Sequence, residues 1–339
     1  MEIRVGINGF GRIGRCALKQ LVEREGFTVA GINDLASVDD LAYLLKYDSV
    51  QGWYPRKVSN DQGSIQVDGQ RIPFFSRSDP AEIPWKDVGA DIILECTGAF
   101  RTRAKAARHI QGGAQTVVIS APSEDADATI VLGVNNNMYN PQKHSIISLA
   151  SCTTNCLAPL AKVLNDAFGV EFIAFTTVHA YTSSQSLVDT PARHRRRGRA
   201  AALNIVPTTT GAAKAAERAL PALKGRIGGM ALRVPVPDGS VTDLVVQLRK
   251  DVTEAEVNDA MRRAAETSEL QGIVRVTDEA LVSGDVVGDT HSAVVDAEST
   301  MVVNRRVAKV LAWYDNEWGY AARLVDFAGI AGGQNPRSD

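Results

Sequence analysis

Cysteine is scarce: four residues in 339, at Cys16, Cys96, Cys152 and Cys156. A disulfide scaffold is therefore excluded, and so few thiols fit a reducing cytoplasm. The two close cysteines are four apart with no second pair nearby, which is no zinc pattern, so no metal site is expected. Long apolar runs are absent too. No window reaches the roughly 18 uninterrupted apolar residues of a membrane span. The opening Met1-Glu2-Ile3-Arg4-Val5 alternates charged and apolar side chains, unlike a signal peptide. A cytoplasmic protein without a membrane partner is the expectation. Charge of one sign is missing as well: 37 Lys and Arg against 39 Asp and Glu leave −2. That balance does not suit general polyanion binding, so no nucleic acid is required. With 45% hydrophobic and 22% charged residues, disorder, collagen and coiled coil are excluded. The length points to two domains with enough core to fold without staples.

The first 150 residues repeat a strand-then-helix rhythm. Ile3–Ile7, Phe27–Ile32, Asp91–Leu94, Thr116–Ile119, Ile130–Leu132 and Ile146–Leu149 are short apolar runs. Arg15–Arg24 and Leu41–Leu45 have helical spacing. Fully apolar strands separated by helices predict a doubly wound parallel sheet in an α/β domain over residues 1–150. After residue 151 the rhythm changes. Helices are expected at Cys156–Phe168, Gly211–Leu223 and from the capping box Thr253/Glu256 to about Ser268. Strands are expected at Phe172–Val178, Met230–Val236, Val241–Leu248 and Val307–Tyr314. Residues 151–315 thus read as an α+β domain with a mixed or antiparallel sheet. A last helix, 316–331, completes the first domain, and Gly332–Asp339 reads as a loose tail.

Gly9-Phe10-Gly11-Arg12-Ile13-Gly14 is a GxGxxG between a strand and a helix. Gly9 suits the tight turn, Gly11 lets backbone approach a pyrophosphate, and Gly14 allows close helix–strand packing. The helix start adds free N–H groups and positive partial charge. Asp34 follows twenty residues after Gly14, where a carboxylate can accept from ribose hydroxyls. The pattern predicts a Rossmann dinucleotide site that prefers NAD, since Asp34 repels a 2′-phosphate.

Ser151-Cys152-Thr153-Thr154 precedes an amphipathic helix, and Pro159 belongs in its first turn or at a kink. Cys152 then lies at or just before a helix N-terminus, which stabilises a thiolate. Polar neighbours are not how core is written. Cys16, Cys96 and Cys156 sit in apolar patterns and read as core. His179, closing a strand, is the most plausible partner for Cys152.

The stretch Ala150–Pro159 resembles the active-site signature of phosphorylating glyceraldehyde-3-phosphate dehydrogenases, and the similarity runs nearly end to end. It includes Ile7–Arg15, Asn33-Asp34, Glu95–Phe100, His179–Thr182, Pro207–Lys214, Arg233–Pro235 and Trp313–Tyr320. The resemblance implies oxidation of glyceraldehyde 3-phosphate to 1,3-bisphosphoglycerate with NAD and inorganic phosphate. Cys152 attacks the aldehyde and His179 takes the proton. A hemithioacetal passes hydride to NAD, and phosphate cleaves the resulting thioester. It assigns Thr182 and Arg233 to the substrate phosphate. Ser151, Thr153, Thr210 and Gly211, with Arg197 from the basic run Arg193–Arg199, go to the attacking phosphate. For the cofactor it assigns Gly9, Gly11, Arg12, Ile13 and Gly14 to the pyrophosphate turn and Asp34 to the ribose. Thr97, Ser120 and Asn316 go to the nicotinamide side. A homotetramer with the basic loop at an interface is also implied.

Four positions depart from the family pattern. Ser78 stands where arginine is usual, and Thr190 replaces a leucine that helps exclude NADP, which leaves NADP open. Leu149 replaces asparagine and Cys96 replaces serine. The competing readings are erythrose 4-phosphate oxidation without phosphorolysis and a cysteine acyltransferase on a Rossmann scaffold. A nucleic-acid binder using the arginine run is a third.

Overall fold

The structure is a computed structural model and describes residues 2–334. The chain divides into two units. Of the described residues, the first comprises 2–130, 137–150 and 321–334; the second comprises 131–136 and 151–320. Residues 335–339, most of the expected tail, lie outside the described residues.

The first unit is built on strands that are buried on both faces at the centre of the sheet and more exposed in the hairpins at one edge. They are β1 (Ile3–Asn8), β2 (Phe27–Asn33), the hairpin strands β3 (Val58–Asp61), β4 (Ser64–Val67) and β5 (Gln70–Phe75), then β6 (Ile92–Glu95), β7 (Thr116–Ile119), β8 (Ala128–Thr129) and β9 (Ile146–Ser148). The nine-stranded order is β8-β9-β7-β6-β1-β2-β5-β4-β3. From β8 to β5 every pairing is parallel; only the hairpins β5/β4 and β4/β3 are antiparallel. Order reverses next to β1, the switch point where doubly wound sheets bind ligands. Helix α1 (Arg12–Glu23) follows β1, and α2 (Val38–Lys46) follows β2. Ser37 Oγ accepts from Asp40 N at 3.1 Å and caps α2.

Two expectations change here. Helix α1 begins at Arg12, three residues earlier than its apolar face suggests, because the turn closes directly onto it. Ile130–Leu132 is buried but not strand. The Val131 N–H is taken by Asn135 Oδ1 at 2.8 Å, so a side chain replaces a ladder partner. The β3–β5 hairpins were not legible, since their exposed alternation is largely polar.

The second unit carries α3 (Cys152–Phe168), β10 (Val170–Ala180), β11 (Val206–Thr208), α4 (Ala212–Ala219), β12 (Ile227–Val234) and β13 (Ser240–Leu248). It continues with α5 (Glu254–Ala265), β14 (Val274–Thr277), β15 (Ala293–Val303), β16 (Val307–Tyr314) and the start of α6 (Trp318–Ala331). The seven-stranded order is β11-β12-β10-β13-β16-β15-β14. Pairs β10/β12 and β14/β15 are parallel and the rest antiparallel, giving the expected mixed sheet. Helix α3 starts at Cys152 rather than Cys156, with Pro159 inside it. Helix α4 stops before Leu220, because Pro221 disfavours the helical conformation in its predecessor. Thr253 and Glu256 form the capping box of α5. That helix ends at Ala265, where Thr267 Oγ1 donates to Ala264 O at 2.7 Å. Among the described residues, no helix is long and apolar enough to cross a membrane.

Candidate active site

Cys152 is the first residue of α3. The chain enters through Ala150, whose φ of +56° lies in the left-handed region an alanine seldom occupies. Ser151 then caps the helix: its Oγ accepts from Thr154 N at 3.2 Å. His179 is the penultimate residue of β10, and the parallel register sets it beside Arg233 of β12. Cys152 Sγ lies 3.4 Å from His179 Nε2. The Ala180 carbonyl lies 2.7 Å from His179 Nδ1 and 2.8 Å from Arg233 Nη1. Nδ1 faces both the Ala180 carbonyl, which suits Nδ1–H and a bare Nε2 toward the sulfur, and the Arg233 Nη1 donor at 2.6 Å, which suits the opposite tautomer.

Burial pushes the Cys152 thiol up, to about 11, against the pull of Arg233 and of the Thr153 N–H and hydroxyl. Burial and then Arg233, whose Nη1 is 2.6 Å from Nδ1, push His179 down, to about 3. In this buried site a lone thiolate is penalised more than the helix end repays, so the sulfur needs the His179 partner that the sequence offered. Proton transfer across the contact creates both charges together, and each then offsets the other's desolvation.

Tyr314 was read only as strand. Its hydroxyl lies 3.0 Å from Thr153 Oγ1 and 2.8 Å from Thr177 Oγ1, and its ring meets that of His179 edge-on at 6.0 Å. It braces the first turn of α3 and the imidazole together. Alternating strand burial marks Tyr314 as inward, but nothing in the sequence marks its hydroxyl partners. The Thr153 hydroxyl is therefore engaged with Tyr314 and buried, rather than open to an anion.

The other expected anion ligands fall in the same unit. Arg233 Nε is buried without a hydrogen-bond partner among the described residues, as an arginine awaiting an anion would be. Thr182 Oγ1 meets Ser184 Oγ at 2.7 Å. Arg197 Nε donates to Thr208 Oγ1 at 3.0 Å, while Thr210 Oγ1 accepts from Ala212 N at 3.1 Å. Gly211 caps α4 with open space where a side chain would stand. Among the described residues, no hydrogen bond joins Thr182, Arg197, Thr210 or Gly211 to Cys152. The basic run divides: Arg199 pairs with Asp189 at 2.9 Å, and Arg193, Arg195 and Arg196 are exposed.

The phosphate-binding turn lies in the first unit and fits a dinucleotide on its own geometry. Gly9 has φ +92°, and a Cβ there would lie 2.6 Å from Thr97 N. A Cβ on Gly14 would lie 2.1 Å from Gly9 O, so helix and turn touch. At Gly11, by contrast, nothing lies within 4 Å, and no side chain caps the first N–H groups of α1. Open space in front of uncapped donors suits a pyrophosphate. Asp34 Oδ2 accepts from Phe10 N at 2.7 Å and Oδ1 from Ala36 N at 2.9 Å, leaving a lone pair on each oxygen for a ribose. Arg12 turns its guanidinium to Asp48 at 2.7 Å, so only its backbone faces the turn; Ile13 is half-buried. Thr97 N donates to Glu95 Oε1 at 2.9 Å, and Ser120 N donates to Glu95 O at 3.0 Å. Cys96 is half-buried at this strand end, not in the core as its apolar neighbours imply.

Sequence reasoning missed what holds this turn. Glu95, wholly buried, accepts from Asn8 Nδ2 at 2.5 Å and lies 3.1 Å from His109 Nε2. Trp85 Nε1 donates to His109 Nδ1 at 3.0 Å, and Asn33 Nδ2 to Asn8 Oδ1 at 2.8 Å. One polar chain thus ties the ends of β1, β2 and β6. In the second unit, Asn316 is buried and its Oδ1 accepts from Ser240 Oγ at 2.6 Å.

Comparison with known proteins agrees with this chemistry. Residues 3–103 match "Glyceraldehyde 3-phosphate dehydrogenase, NAD binding domain", and residues 151–316 match the C-terminal domain of the same enzyme. A glyceraldehyde-3-phosphate dehydrogenase of Streptomyces coelicolor is 51% identical over 335 residues, covering 98% of this chain and all of the relative. That of Geobacillus stearothermophilus is 50% identical, covering 97% and 98%. Glyceraldehyde-3-phosphate dehydrogenase 2 of Bacillus subtilis is 49% identical, covering 96% of each chain. With nearly the whole length matched at such identity, the chain belongs to the glyceraldehyde-3-phosphate dehydrogenase family.

Proposed function

We propose that this chain oxidises glyceraldehyde 3-phosphate with NAD and inorganic phosphate to 1,3-bisphosphoglycerate, through an acyl group carried on Cys152. The observation that carries the site assignment is the 3.4 Å contact between Cys152 Sγ and His179 Nε2 at the start of a helix. His179 accepts the thiol proton as sulfur adds to the aldehyde carbon, giving a hemithioacetal. NAD, when bound, supplies the two-electron acceptor of the reaction. Phosphate attack on the acyl thioester releases the acyl phosphate and returns the sulfur to His179's care.

Arg233 and Thr182 hold the substrate phosphate, and the unpartnered Arg233 Nε supports that role. Ser151, Arg197, Thr210 and Gly211 hold the attacking phosphate. Residues 1–150, completed by 316–331, form the NAD domain. Within it Gly9, Gly11, Arg12, Ile13 and Gly14 face the pyrophosphate, Asp34 the ribose, and Thr97 and Ser120 the nicotinamide side. Residues 151–315 form the catalytic domain, and Asn316, just beyond it, holds the nicotinamide carboxamide.

A homotetramer is part of the proposal. Phe172, Met230, Met301 and Val303 are exposed on strands of the seven-stranded sheet, and Leu203, 82% exposed, follows the basic run. Apolar surface of this kind suits a second copy of the chain. Sedimentation of the purified protein tests it. Four free cysteines support a reducing, cytoplasmic setting.

Steady-state rates on glyceraldehyde 3-phosphate and erythrose 4-phosphate, with and without phosphate, test the reaction. Dependence on phosphate with the triose is expected. Turnover indifferent to phosphate would favour the erythrose reading.

A further inference from the structure

The Ala180 peptide is a hub. Its carbonyl meets His179 Nδ1 and Arg233 Nη1, while its N–H donates to Ser240 Oγ at 3.1 Å. Ser240 is 1% exposed, and its Oγ lies 2.6 Å from Asn316 Oδ1. A backbone N–H can only donate, so Ser240 Oγ accepts from Ala180. Its single proton must then go to Asn316, because a buried hydroxyl proton left unbonded is costly. The other orientation of the amide would aim an N–H₂ at Ser240 and strand that proton. Asn316 Oδ1 is thereby held on Ser240, and Nδ2 is the end of the amide turned away from it.

We propose that Ser240 is a positioning residue for the cofactor, which locks the Asn316 amide so that it offers a hydrogen-bond donor and not an acceptor. The inference rests on the reading that Asn316 holds the nicotinamide carboxamide. It adds a specificity: the ligand group met there must present an acceptor, the carbonyl oxygen rather than the amino group. It also ties the peptide beside the catalytic imidazole to the cofactor side chain through one hydroxyl.

The test is a double-mutant cycle on NAD affinity, read by calorimetry on the full chain with no substrate present. Ser240→Ala frees the amide to turn over and is expected to weaken NAD binding about tenfold, about 1.4 kcal/mol. In an Asn316→Ala background the same change should cost nothing further, because Ser240 acts through Asn316. In steady state, KM for NAD should rise while KM for the aldehyde and for phosphate stays put. Ser240→Cys, close in size and a weak donor, should recover part of the affinity; it also serves if Ser240→Ala does not fold. Equal losses in both backgrounds would overturn the proposal, since Ser240 would then act on the fold at large. No loss from Ser240→Ala beside a clear loss from Asn316→Ala would overturn it too. If Asn316→Ala binds NAD normally, the carboxamide reading itself fails and the Ser240 inference falls with it.

Discussion

Cys152 Sγ and His179 Nε2 lie 3.4 Å apart, one on the first residue of α3 and the other on the penultimate residue of β10. Neither group is placed to ionise alone. Burial pushes the thiol up to about 11 and the imidazole down to about 3, so the reactive form is made by passing one proton between them. His179→Asn removes the acceptor. Alkylation of Cys152 by iodoacetamide at pH 7 should slow at least about tenfold, then rise about tenfold per pH unit toward the value near 11, since only the thiolate reacts. Superimposable pH–rate profiles for the two proteins would separate His179 from the sulfur.

Cys152→Ser keeps the shape of the site and removes the nucleophile. Turnover should fall to below about one-thousandth. Calorimetric NAD affinity should change less than twofold or so, because the Gly9–Gly14 turn proposed to hold the pyrophosphate belongs to the other unit. Retained dehydrogenase activity would move the covalent chemistry elsewhere.

Asp34 has two tasks, and its replacement should show both. Its carboxylate accepts from Phe10 N and Ala36 N, holding the turn, and in the proposed ribose role it would repel a 2′-phosphate. Asp34→Ala should lower the NAD/NADP ratio of kcat/KM by about tenfold or more and cost about 1 kcal/mol of stability from the lost backbone partners. The ratio measured with both cofactors checks the first, a urea melt the second. An unchanged ratio would remove Asp34 from the ribose site.

Asp238 makes a prediction about pH. Burial first, then Asp315 and Glu317, push its carboxyl up to about 9. A folded-state pKa above the unfolded value near 3.9 means its contribution to stability is fully present below about pH 4. That contribution is lost progressively as pH rises toward about 9. Asp238→Asn cannot charge, so it should gain on the wild type through that window, by several degrees of Tm at pH 9. Calorimetric melts at pH 5, 7 and 9 would show it; a constant difference between the two curves would refute the shift.

Much of this architecture could be read from residues whose chemistry is local. The short apolar runs Asp91–Leu94 and Thr116–Ile119 read as covered strands, and Gly9 to Gly14 between strand and helix admits few geometries. Ser151 and Pro159 place Cys152 near a helix start, though only the structure shows that the helix begins on Cys152 itself. What stayed hidden depends on register across the fold. His179 meets Arg233 because β10 and β12 run parallel in step. Tyr314 reaches Thr153 and Thr177 from a strand far along the chain. Glu95 and His109 look like an ordinary acid and base until burial brings them together with Trp85. The β3–β5 hairpins escaped because polar alternation on an exposed sheet edge carries little signal.

The most direct test of an acyl group on Cys152 is a single-turnover experiment without phosphate. The enzyme is mixed with NAD and glyceraldehyde 3-phosphate, quenched in acid, and analysed by absorbance and by mass spectrometry of the peptide containing Cys152. A burst of one NADH per Cys152, with a matching phosphoglyceroyl group on that sulfur that disappears when phosphate is added, is the predicted result. NADH formation with Cys152 unmodified would contradict the account.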